Sequence, residues 1–456
     1  MNKGLLSAVA AGSFLSSLTS SVINVALPDM ARDYRVDPSQ AAWFVLSFLL
    51  SVTVLLLPAG RVGDLLGHGR TYVTGMSIFG VGSLGCALAP GPGLLIAFRI
   101  LQGVGSSLVM SSSPALMTLA MPATRRGFAL GMMSTATYVG LAVGPPVGGV
   151  LVEWFGWRSI FWASVAASLL TVGWAASVMP LRRGGGKAAR FDIPGAVLAA
   201  AGTLAFLLVS TRGVAWGATN PKTVALAAVA LLLAPVFAWV ELRHPAPMLD
   251  LRLFRSRVFS SATGAALLNY TALFIPLFLM PFALRDGQGM SPPQVGRVMA
   301  AQAVAMALIV WGSGTLSDRI GSRGLATLGM VTLAIGLAGL AWSWPTRGMW
   351  QPAAWMLVCG AGTGVFISPN SSALMGSAPR ERQGVAGGVM SLARNLGMTL
   401  GVASGSAIFA SVFGPSHASG TWMPAADGAM RTGFLIASGV ALLSAVLTYA
   451  GRPSGR

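Results

Sequence analysis

The sequence predicts an all-α integral membrane protein with fourteen membrane-spanning helices, arranged as two repeated six-helix halves plus two inserted helices. Hydrophobic residues make up 54% of the 456 residues, charged residues make up 9%, and the mean hydropathy is +0.72. A soluble domain usually carries about 25% charged residues. The apolar residues gather in runs of about 20, the length that crosses the hydrocarbon core of a bilayer. These runs lack strand alternation, which excludes a transmembrane barrel.

Each apolar run is predicted to be a helix, because a segment in lipid must satisfy its backbone hydrogen bonds internally. The fourteen runs lie at about residues 5–27, 41–60, 71–90, 93–119, 127–151, 158–180, 192–211, 222–241, 258–283, 294–316, 324–343, 352–374, 386–410 and 430–450. The first run begins like a signal peptide but continues to Pro28. It exceeds the roughly 7–15 residues of a signal's apolar region, so we count it as a span.

Two segments of the chain occur twice in the same direction. "RGFALGMMSTATYVGLAVGPPVGG" matches "QGVAGGVMSLARNLGMTLGVASGS", which aligns Gly140 with Gly397. "GRVGDLLG" matches "GTLSDRIG", which aligns Asp64 with Asp318. Same-direction duplication of this kind indicates two membrane halves related by an axis along the membrane normal, with a cavity between them.

The repeat divides the chain into three parts. Residues 1–181 are predicted to form the N-terminal half, residues 182–252 a linker with two inserted spans, and residues 253–456 the C-terminal half. The linker segment "LRRGGGKAAR" is Gly-rich and basic, which is typical of a flexible connection. The segment "ELRHPAPMLDLRLFRSRVF" is either a short amphipathic helix on the membrane surface or an ordinary basic loop.

The positive charges predict how the chain is oriented in the membrane. Of the 30 Lys and Arg residues, 19 fall in cytoplasmic segments if both termini are cytoplasmic, 8 fall in outer loops and 3 lie within spans. This asymmetry favours a multi-pass protein of the inner (plasma) membrane with both ends in the cytoplasm. The net charge of +18 does not indicate a nucleic-acid partner, because no basic patch with interleaved aromatic residues is present.

Several motifs identify a family resemblance that covers nearly the whole chain. "VINVALP", "GRVGDLLGHGR", "RILQG" and "GLAVGPPVGG" resemble the motifs of spans 1, 2–3, 4 and 5 in the fourteen-span drug:proton antiporters of the major facilitator superfamily. Two positions depart from the pattern. Thr19 stands where the family usually has an Asp, and Leu65, His68 and Gly69 stand where its loop motif has basic residues.

The resemblance implies the major facilitator fold and multidrug efflux by alternating access. The expected partners are a small-molecule substrate, protons and membrane lipids, and the expected state is a monomer without a cofactor. Uncoupled facilitation or import of a neutral or anionic solute is the alternative. No phosphate loop, catalytic triad or metal cluster is visible in the sequence, so neither ATP-driven transport nor a membrane enzyme has motif support.

Polar groups within spans are the candidate substrate ligands, since such groups are costly in lipid and normally face a cavity. For Arg99, snorkelling to the outer interface is the alternative. In span 1, Ser20 and Asn24 share one helical face. The candidate substrate-binding residues are Ser20, Asn24, Arg99, Gln102, Tyr138, Asn269, Tyr270, Gln302, Arg394 and Asn395.

The repeated loop motif is the candidate inner gate. Asp64 can pair with Arg70, Arg125 or Arg126, or cap a helix of the other half. Asp318 with Arg319 or Arg323 is its repeat counterpart. The alternative is a solvated loop ion pair that contributes about 0–1 kcal/mol.

Glycines in span 5 are the candidate outer seal. Gly140, Gly144 and Gly148 form two overlapping GxxxG units, which allow helices to approach closely and slide, and Pro145 adds a break in the helix. Simple tight packing is the alternative.

All twelve carboxylates fall at span ends or in loops, so the usual mid-membrane proton carrier is missing. Asp29, Glu153 and Arg99 are the proton-coupling candidates, Asp64 could also titrate at the cavity edge, and uncoupled transport stays open. A cavity with Arg99 and Arg394 and no acid should disfavour lipophilic cations and suit neutral or anionic amphiphiles.

Overall fold

Fourteen long helices make up the described part of the chain. The computed structural model describes residues 3–119, 121, 126–179, 181, 193–217, 219–243, 249, 251–345, 348–379, 383–413 and 422–451. The helices are α1 Lys3–Tyr34, α2 Pro38–Leu66, α3 His68–Leu88, α4 Pro92–Leu119, α5 Arg126–Phe155, α6 Ser159–Val178, α7 Ile193–Trp216, α8 Pro221–Arg243, α9 Arg257–Phe282, α10 Pro292–Ile320, α11 Ser322–Ser343, α12 Trp350–Gly376, α13 Gln383–Phe413 and α14 Trp422–Ala450. A 3₁₀ turn (Leu251–Arg255) precedes α9 and a π-helical turn (Ala283–Gly287) follows it.

Among the described residues, thirteen helices are long and apolar enough to cross a membrane, and no strand occurs. The helix outside this set is α13, which is rich in Gly and Ser and carries Arg394 and Asn395. The predicted all-α membrane fold is confirmed. The difference at α13 has a simple physical cause: a helix that buries small and polar residues inside a bundle does not need the hydropathy of a lipid-facing one.

The two halves repeat each other in detail. In the first half α1 packs on α5 and α3 packs on α4, and in the second half α9 packs on α13 and α11 on α12. A Cβ on Gly75 would lie 2.8 Å from the carbonyl oxygen of Gly105, and a Cβ on Gly329 would lie 2.7 Å from that of Gly362. Only a residue without a side chain allows this approach. The duplication seen in the sequence therefore reappears as duplicated helix packing.

The same repetition governs where helices begin and end. Asp37 caps α2, where the Gln40 amide donates to its Oδ1 at 2.8 Å, and in α10 the Ser291 amide donates to Gln294 Oε1 at 2.8 Å. In both helices Pro occupies the first turn, where its missing N–H costs nothing. Gly67 and Gly321 then separate these helices from the next at φ values of 91° and 90°, a region that favours glycine.

The inserted helices lie beside the two halves. α7 packs against α2 and α13, and α8 packs against α7 and the 3₁₀ turn. Leu253 of that turn is buried in a small core with Phe259, so residues 251–255 of the basic segment before α9 form a short turn docked on the protein. The exact boundaries of the three predicted parts remain a prediction.

The helices run antiparallel between the two ends of the bundle, and each end is named here after one carboxylate. We call the end that holds Asp29, near the C-terminus of α1, the Asp29 face, and the end that holds Asp64, near the C-terminus of α2, the Asp64 face. The predicted orientation puts the Asp29 face on the outer side of the membrane.

Candidate functional site

A pocket lies between the two halves, and its empty volume of about 480 Å³ includes space that is open to solvent. One wall comes from α5 in the first half, and the others come from α9 and α10 in the second. The lining residues are Tyr138, Leu141, Ala142, Pro145, Tyr270, Leu273, Phe274, Leu277, Met299, Gln302, Ala303 and Met306. The sequence analysis named Tyr138, Tyr270 and Gln302 as substrate groups, and the structure brings these three together across the junction of the halves.

Two polar groups in this pocket have no hydrogen-bond partner among the described residues: the Tyr270 hydroxyl and the Gln302 Nε2 amide. Both side chains are almost fully buried, at 4% and 5% exposure. Tyr138 and Arg394 lie close enough to the Tyr270 hydroxyl to interact with it electrostatically. An unsatisfied buried polar group costs about 1–3 kcal/mol. Groups left in this state inside a pocket are the ones that a ligand or water can satisfy.

Arg99, the most buried charged side chain described, belongs to a different network. Its Nε donates to the Phe44 carbonyl oxygen at 2.7 Å, and its Nη1 donates to Gln102 Oε1 at 2.6 Å. Gln102 in turn donates to Ser83 Oγ at 2.7 Å, and the guanidinium lies 4.4 Å from the Phe48 ring centroid. These contacts join α2, α3 and α4 inside one half. Arg99 is fully enclosed, so it does not snorkel, and it does not line the pocket.

The remaining polar candidates are buried in α1, α9 and α13. Asn24 Nδ2 donates to the Ser21 carbonyl oxygen at 3.2 Å, while its Oδ1 is unpartnered among the described residues. Asn395 Nδ2 donates to the Ser391 carbonyl oxygen at 2.8 Å, and Ser20 likewise bonds within α1. Asn269 is fully buried, and both atoms of its amide are unpartnered among the described residues. Their roles in binding stay predictions.

On the side of the Asp29 face, close contacts between α5 and α10 close the pocket, and we call these contacts the roof. A Cβ on Gly149 of α5 would lie 2.7 Å from the Pro292 carbonyl oxygen of α10, and one on Gly296 would lie 2.8 Å from the Pro145 carbonyl oxygen. The contact of Gly296 with Pro145 joins the two halves at the edge of the pocket, which Pro145 also lines, and the contact of Gly149 with Pro292 joins them one to two turns farther out.

The glycines that the sequence named as a seal between the halves contact α1 of their own half. A Cβ on Gly140 would lie 2.5 Å from the Phe14 carbonyl oxygen, and Gly144 and Gly148 meet Ser21 and Val22. The contact between halves falls instead to Pro145 and Gly149, because the glycine stripe and the α10-facing side of α5 point in different directions.

Charged residues of both halves meet above the roof. Asp29 Oδ1 lies 2.9 Å from Arg285 Nη2 and 3.3 Å from Arg32 Nη2, and Arg32 lies 3.5 Å from Asp286. Arg285 also donates to the Met290 carbonyl oxygen at 3.0 Å. The sequence analysis named Asp29 but missed Arg285 and Asp286. Pairing across 256 residues leaves no local pattern, and the available signal was that these charges fall at the same ends of spans 1 and 9.

The Asp64 face shows pairing within one half. Asp64 lies 3.2 Å from Arg61 Nη1 and 3.3 Å from His68 Nε2. Arg70, one of the three predicted partners of Asp64, donates instead to the Leu181 carbonyl oxygen.

Other predicted gate and coupling residues can be located only in part. Arg125 lies outside the described residues, and so do the side chains of Arg126 and Asp318. Arg319 and Glu153 are exposed. The gating role of this set therefore remains a prediction.

Known proteins resemble the chain over most of its length. The family model described as Major Facilitator Superfamily matches residues 9–402 and again residues 262–456. The chain is 32% identical over 400 residues to the riboflavin transporter RibZ of Clostridioides difficile (strain 630), covering 88% of this chain and 86% of that protein. It is 31% identical over 401 residues to the multidrug resistance protein Stp of Mycobacterium tuberculosis (strain CDC 1551 / Oshkosh), covering 87% and 74%.

Among solved structures, a bacterial homologue of the human lysosomal transporter Spinster, in an inward-facing and unoccupied conformation, aligns with a TM-score of 0.71 at 15% identity. The alignment covers 98% of this chain and 96% of the other. At this identity the likeness concerns the fold alone. The matched family model, the relatives and the duplicated helical bundle agree, and the chain belongs to the major facilitator superfamily.

Proposed function

We propose that this membrane transporter exports drug-like or secondary-metabolite amphiphiles by alternating access and couples export to protons. The observation that carries the proposal is the pocket between the halves, in which the Tyr270 hydroxyl and the Gln302 amide are unpartnered. A site enclosed by two repeats that rock against each other opens to one side of the membrane at a time.

The direction of export rests on which face is closed. The contacts of Gly149 and Gly296 and the ion pairs of Asp29 hold the halves together at the Asp29 face. The charge asymmetry of the loops favours an outer position for this face. With the Asp29 face placed outside as proposed, the pocket is shut toward the outside, which suits a state that loads its cargo from the cytoplasm or the inner leaflet.

Coupling to protons is proposed to act through Asp29. Its carboxylate faces Arg285 and Arg32, with Asp286 as the neighbouring acid, and it bridges the halves. A proton on Asp29 would remove the negative charge that attracts both guanidinium groups. The closed Asp29 face would lose stability relative to the open one, and the conformational equilibrium would shift toward outward opening.

The names of two relatives support a small-molecule cargo but point to different ones. RibZ is named a riboflavin transporter, and Stp is named a multidrug resistance protein. A largely apolar pocket with a few polar groups is the type of site that takes amphiphiles.

The second candidate is an uncoupled facilitator or importer of a neutral or anionic solute. The observation that favours it is the composition of the pocket, which has no Asp, Glu or His among its twelve lining residues. No carboxylate or imidazole that could carry a proton is among these lining residues, so coupling would act through a peripheral group such as Asp29.

Transport by purified protein in liposomes separates the two candidates. The protein is reconstituted with riboflavin as the probe, and riboflavin movement is followed with an imposed proton gradient, without one, and after an ionophore collapses it. Proton-coupled export predicts movement against the riboflavin gradient that stops when the ionophore is added. Movement that only follows the riboflavin gradient, unchanged by the ionophore, would support the facilitator. The Asp29→Asn variant should behave like the wild type with ionophore.

A further inference from the structure

We propose that the central pocket selects planar conjugated molecules whose polar atoms are hydrogen-bond acceptors, and that it excludes organic cations. This inference rests on the proposed function, since it names the substrate class of the same pocket. It goes beyond the general preference for neutral or anionic cargo by assigning the selection to Tyr270, Gln302 and Arg394.

The walls of the pocket suit flat, polarizable molecules. Tyr138 contributes an aromatic ring from the first half, and Tyr270 and Phe274 contribute rings from the second. Met299 and Met306 line the α10 side with flexible thioethers. Aromatic rings pack favourably on other conjugated rings, and Met adapts to their edges.

The unpartnered polar atoms are groups that donate hydrogen bonds. Gln302 Nε2 is a donor, and the Tyr270 hydroxyl carries a proton. Arg394, which has donors only, approaches the same hydroxyl from α13 and is 8% exposed. A ligand satisfies this set best when it brings acceptors, such as conjugated carbonyl, phenolate or carboxylate oxygens.

Charge separates the accepted from the rejected molecules. Arg394 places a positive charge beside the pocket, and no acidic residue lines the pocket to balance a second one. In a site of low polarity the repulsion between two cations is much larger than in water. An organic cation would therefore meet both a repelling charge and a row of donors that it cannot satisfy.

The position of these donors also connects binding to movement. Tyr138 belongs to α5 in the first half, while Tyr270, Gln302 and Arg394 belong to α9, α10 and α13 in the second. An acceptor that bonds donors from both halves stabilises the arrangement in which the halves approach each other, which is how a substrate shifts a conformational equilibrium.

Two dyes with the same xanthene skeleton provide the test. Fluorescein is anionic and carries acceptor oxygens, whereas rhodamine 6G is a cation with amino groups. Binding to the purified full-length protein in detergent is measured by fluorescence anisotropy. We expect fluorescein to bind at least about tenfold more tightly than rhodamine 6G, the difference that one hydrogen bond to a charged or buried donor provides.

Three variants identify the groups responsible. Tyr270→Phe should weaken fluorescein binding by about five- to tenfold, since it removes one hydrogen bond. Gln302→Glu, of nearly the same size, should weaken fluorescein and strengthen rhodamine 6G. Tyr449→Phe is the matched control, because Tyr449 lies exposed on α14 outside the pocket and its loss should change neither dye. Thermal stability and gel-filtration profiles establish that each variant is folded.

The outcomes separate this inference from the proposed function. We call the preference for planar hydrogen-bond acceptors over organic cations the selection rule. Three results would overturn it: equal or tighter binding of rhodamine 6G, binding of neither dye, or an unchanged fluorescein affinity in Tyr270→Phe. If liposomes containing the protein transport rhodamine 6G, the exporter stands and the selection rule falls. If fluorescein binds selectively but is not transported, the selection rule stands and the exporter falls.

Discussion

Asp29 at the end of α1 and Arg285 in the turn after α9 lie 2.9 Å apart, and this contact joins the two halves of the transporter at one face. Both side chains are partly buried, with 19% and 22% of their surfaces exposed. Removing one partner of a pair shielded in this way costs more than the roughly 0–1 kcal/mol of a fully exposed ion pair, because the other charge is left partly buried. Breaking it requires that both charges find water, which happens when the Asp29 face opens.

Neutralising Asp29 should open that face. In Asp29→Asn the attraction to Arg285 and Arg32 is lost, so the open conformation gains population by about fivefold if the pair contributes about 1 kcal/mol. A Leu277→Cys reporter in the pocket wall detects this through labelling by a membrane-impermeant maleimide. The native cysteines Cys86 and Cys359 are fully buried and should give a low background. Equal labelling of the reporter in the Asp29 protein and in the Asp29→Asn variant would contradict the role of this ion pair in closing the Asp29 face.

Filling the roof should prevent closure. Gly149→Ala puts a methyl group 2.7 Å from the Pro292 carbonyl oxygen, so α5 and α10 must separate at the Asp29 face. We expect labelling of the Leu277→Cys reporter to rise and riboflavin transport to fall at least about fivefold, as expected for overpacking that costs 1–3 kcal/mol. Gly173→Ala is the matched control, since nothing lies within 4 Å of its new methyl group. If both variants transport equally, the roof is not needed.

The two buried arginines should separate by function. Arg99→Gln removes donors from the Phe44 carbonyl oxygen and from Gln102, and leaving such groups unpaired costs about 1–3 kcal/mol each. We therefore expect a lower melting temperature with nearly unchanged fluorescein affinity. Arg394→Gln should have the opposite profile, with little change in stability and weaker fluorescein binding. Loss of affinity in Arg99→Gln at constant stability would return Arg99 to the substrate site.

Asp64 should influence turnover more than binding. Its contacts to Arg61 and His68 hold the end of α2 at the Asp64 face, far from the pocket lining. In Asp64→Asn we expect the transport rate to fall several-fold while dye affinity stays within about twofold, since a partly exposed pair contributes about 1 kcal/mol. Unchanged transport by this variant would count against a gate at the Asp64 face.

The sequence predicted the fold well because repeated segments and apolar runs can be recognised in the sequence without knowing which residues are in contact. Gly140 with Gly397 and the apolar runs required no knowledge of distant contacts, and both reappear in the structure. The site was predicted only in part. Tyr138, Tyr270 and Gln302 were identified as polar groups in spans, but no pattern distinguished them from Arg99, whose hydrogen-bond partners are Phe44 of α2 and Gln102 of its own helix.

What the sequence could not supply was pairing between the halves. Arg285 is unremarkable among the outer-loop charges until it meets Asp29, and Gly149 differs from Gly148 only in the direction it faces. Both depend on how two separately folded halves dock. The sequence pattern does not show which side of a helix will face the other half. Neighbouring positions on a helix differ in direction by about 100°, so one residue can contact the other half while the next does not.

A reversible cross-link between the halves tests alternating access most directly. Arg32 and Asp286 approach to 3.5 Å at the Asp29 face, and replacing both with Cys leaves the Asp29–Arg285 pair in place. The double variant in liposomes is treated with a short bifunctional thiol reagent and then with a reductant, with each single Cys variant as control. The account predicts that cross-linking stops transport and that reduction restores it. Transport that continues at the same rate while the halves are linked would contradict alternating access through this face.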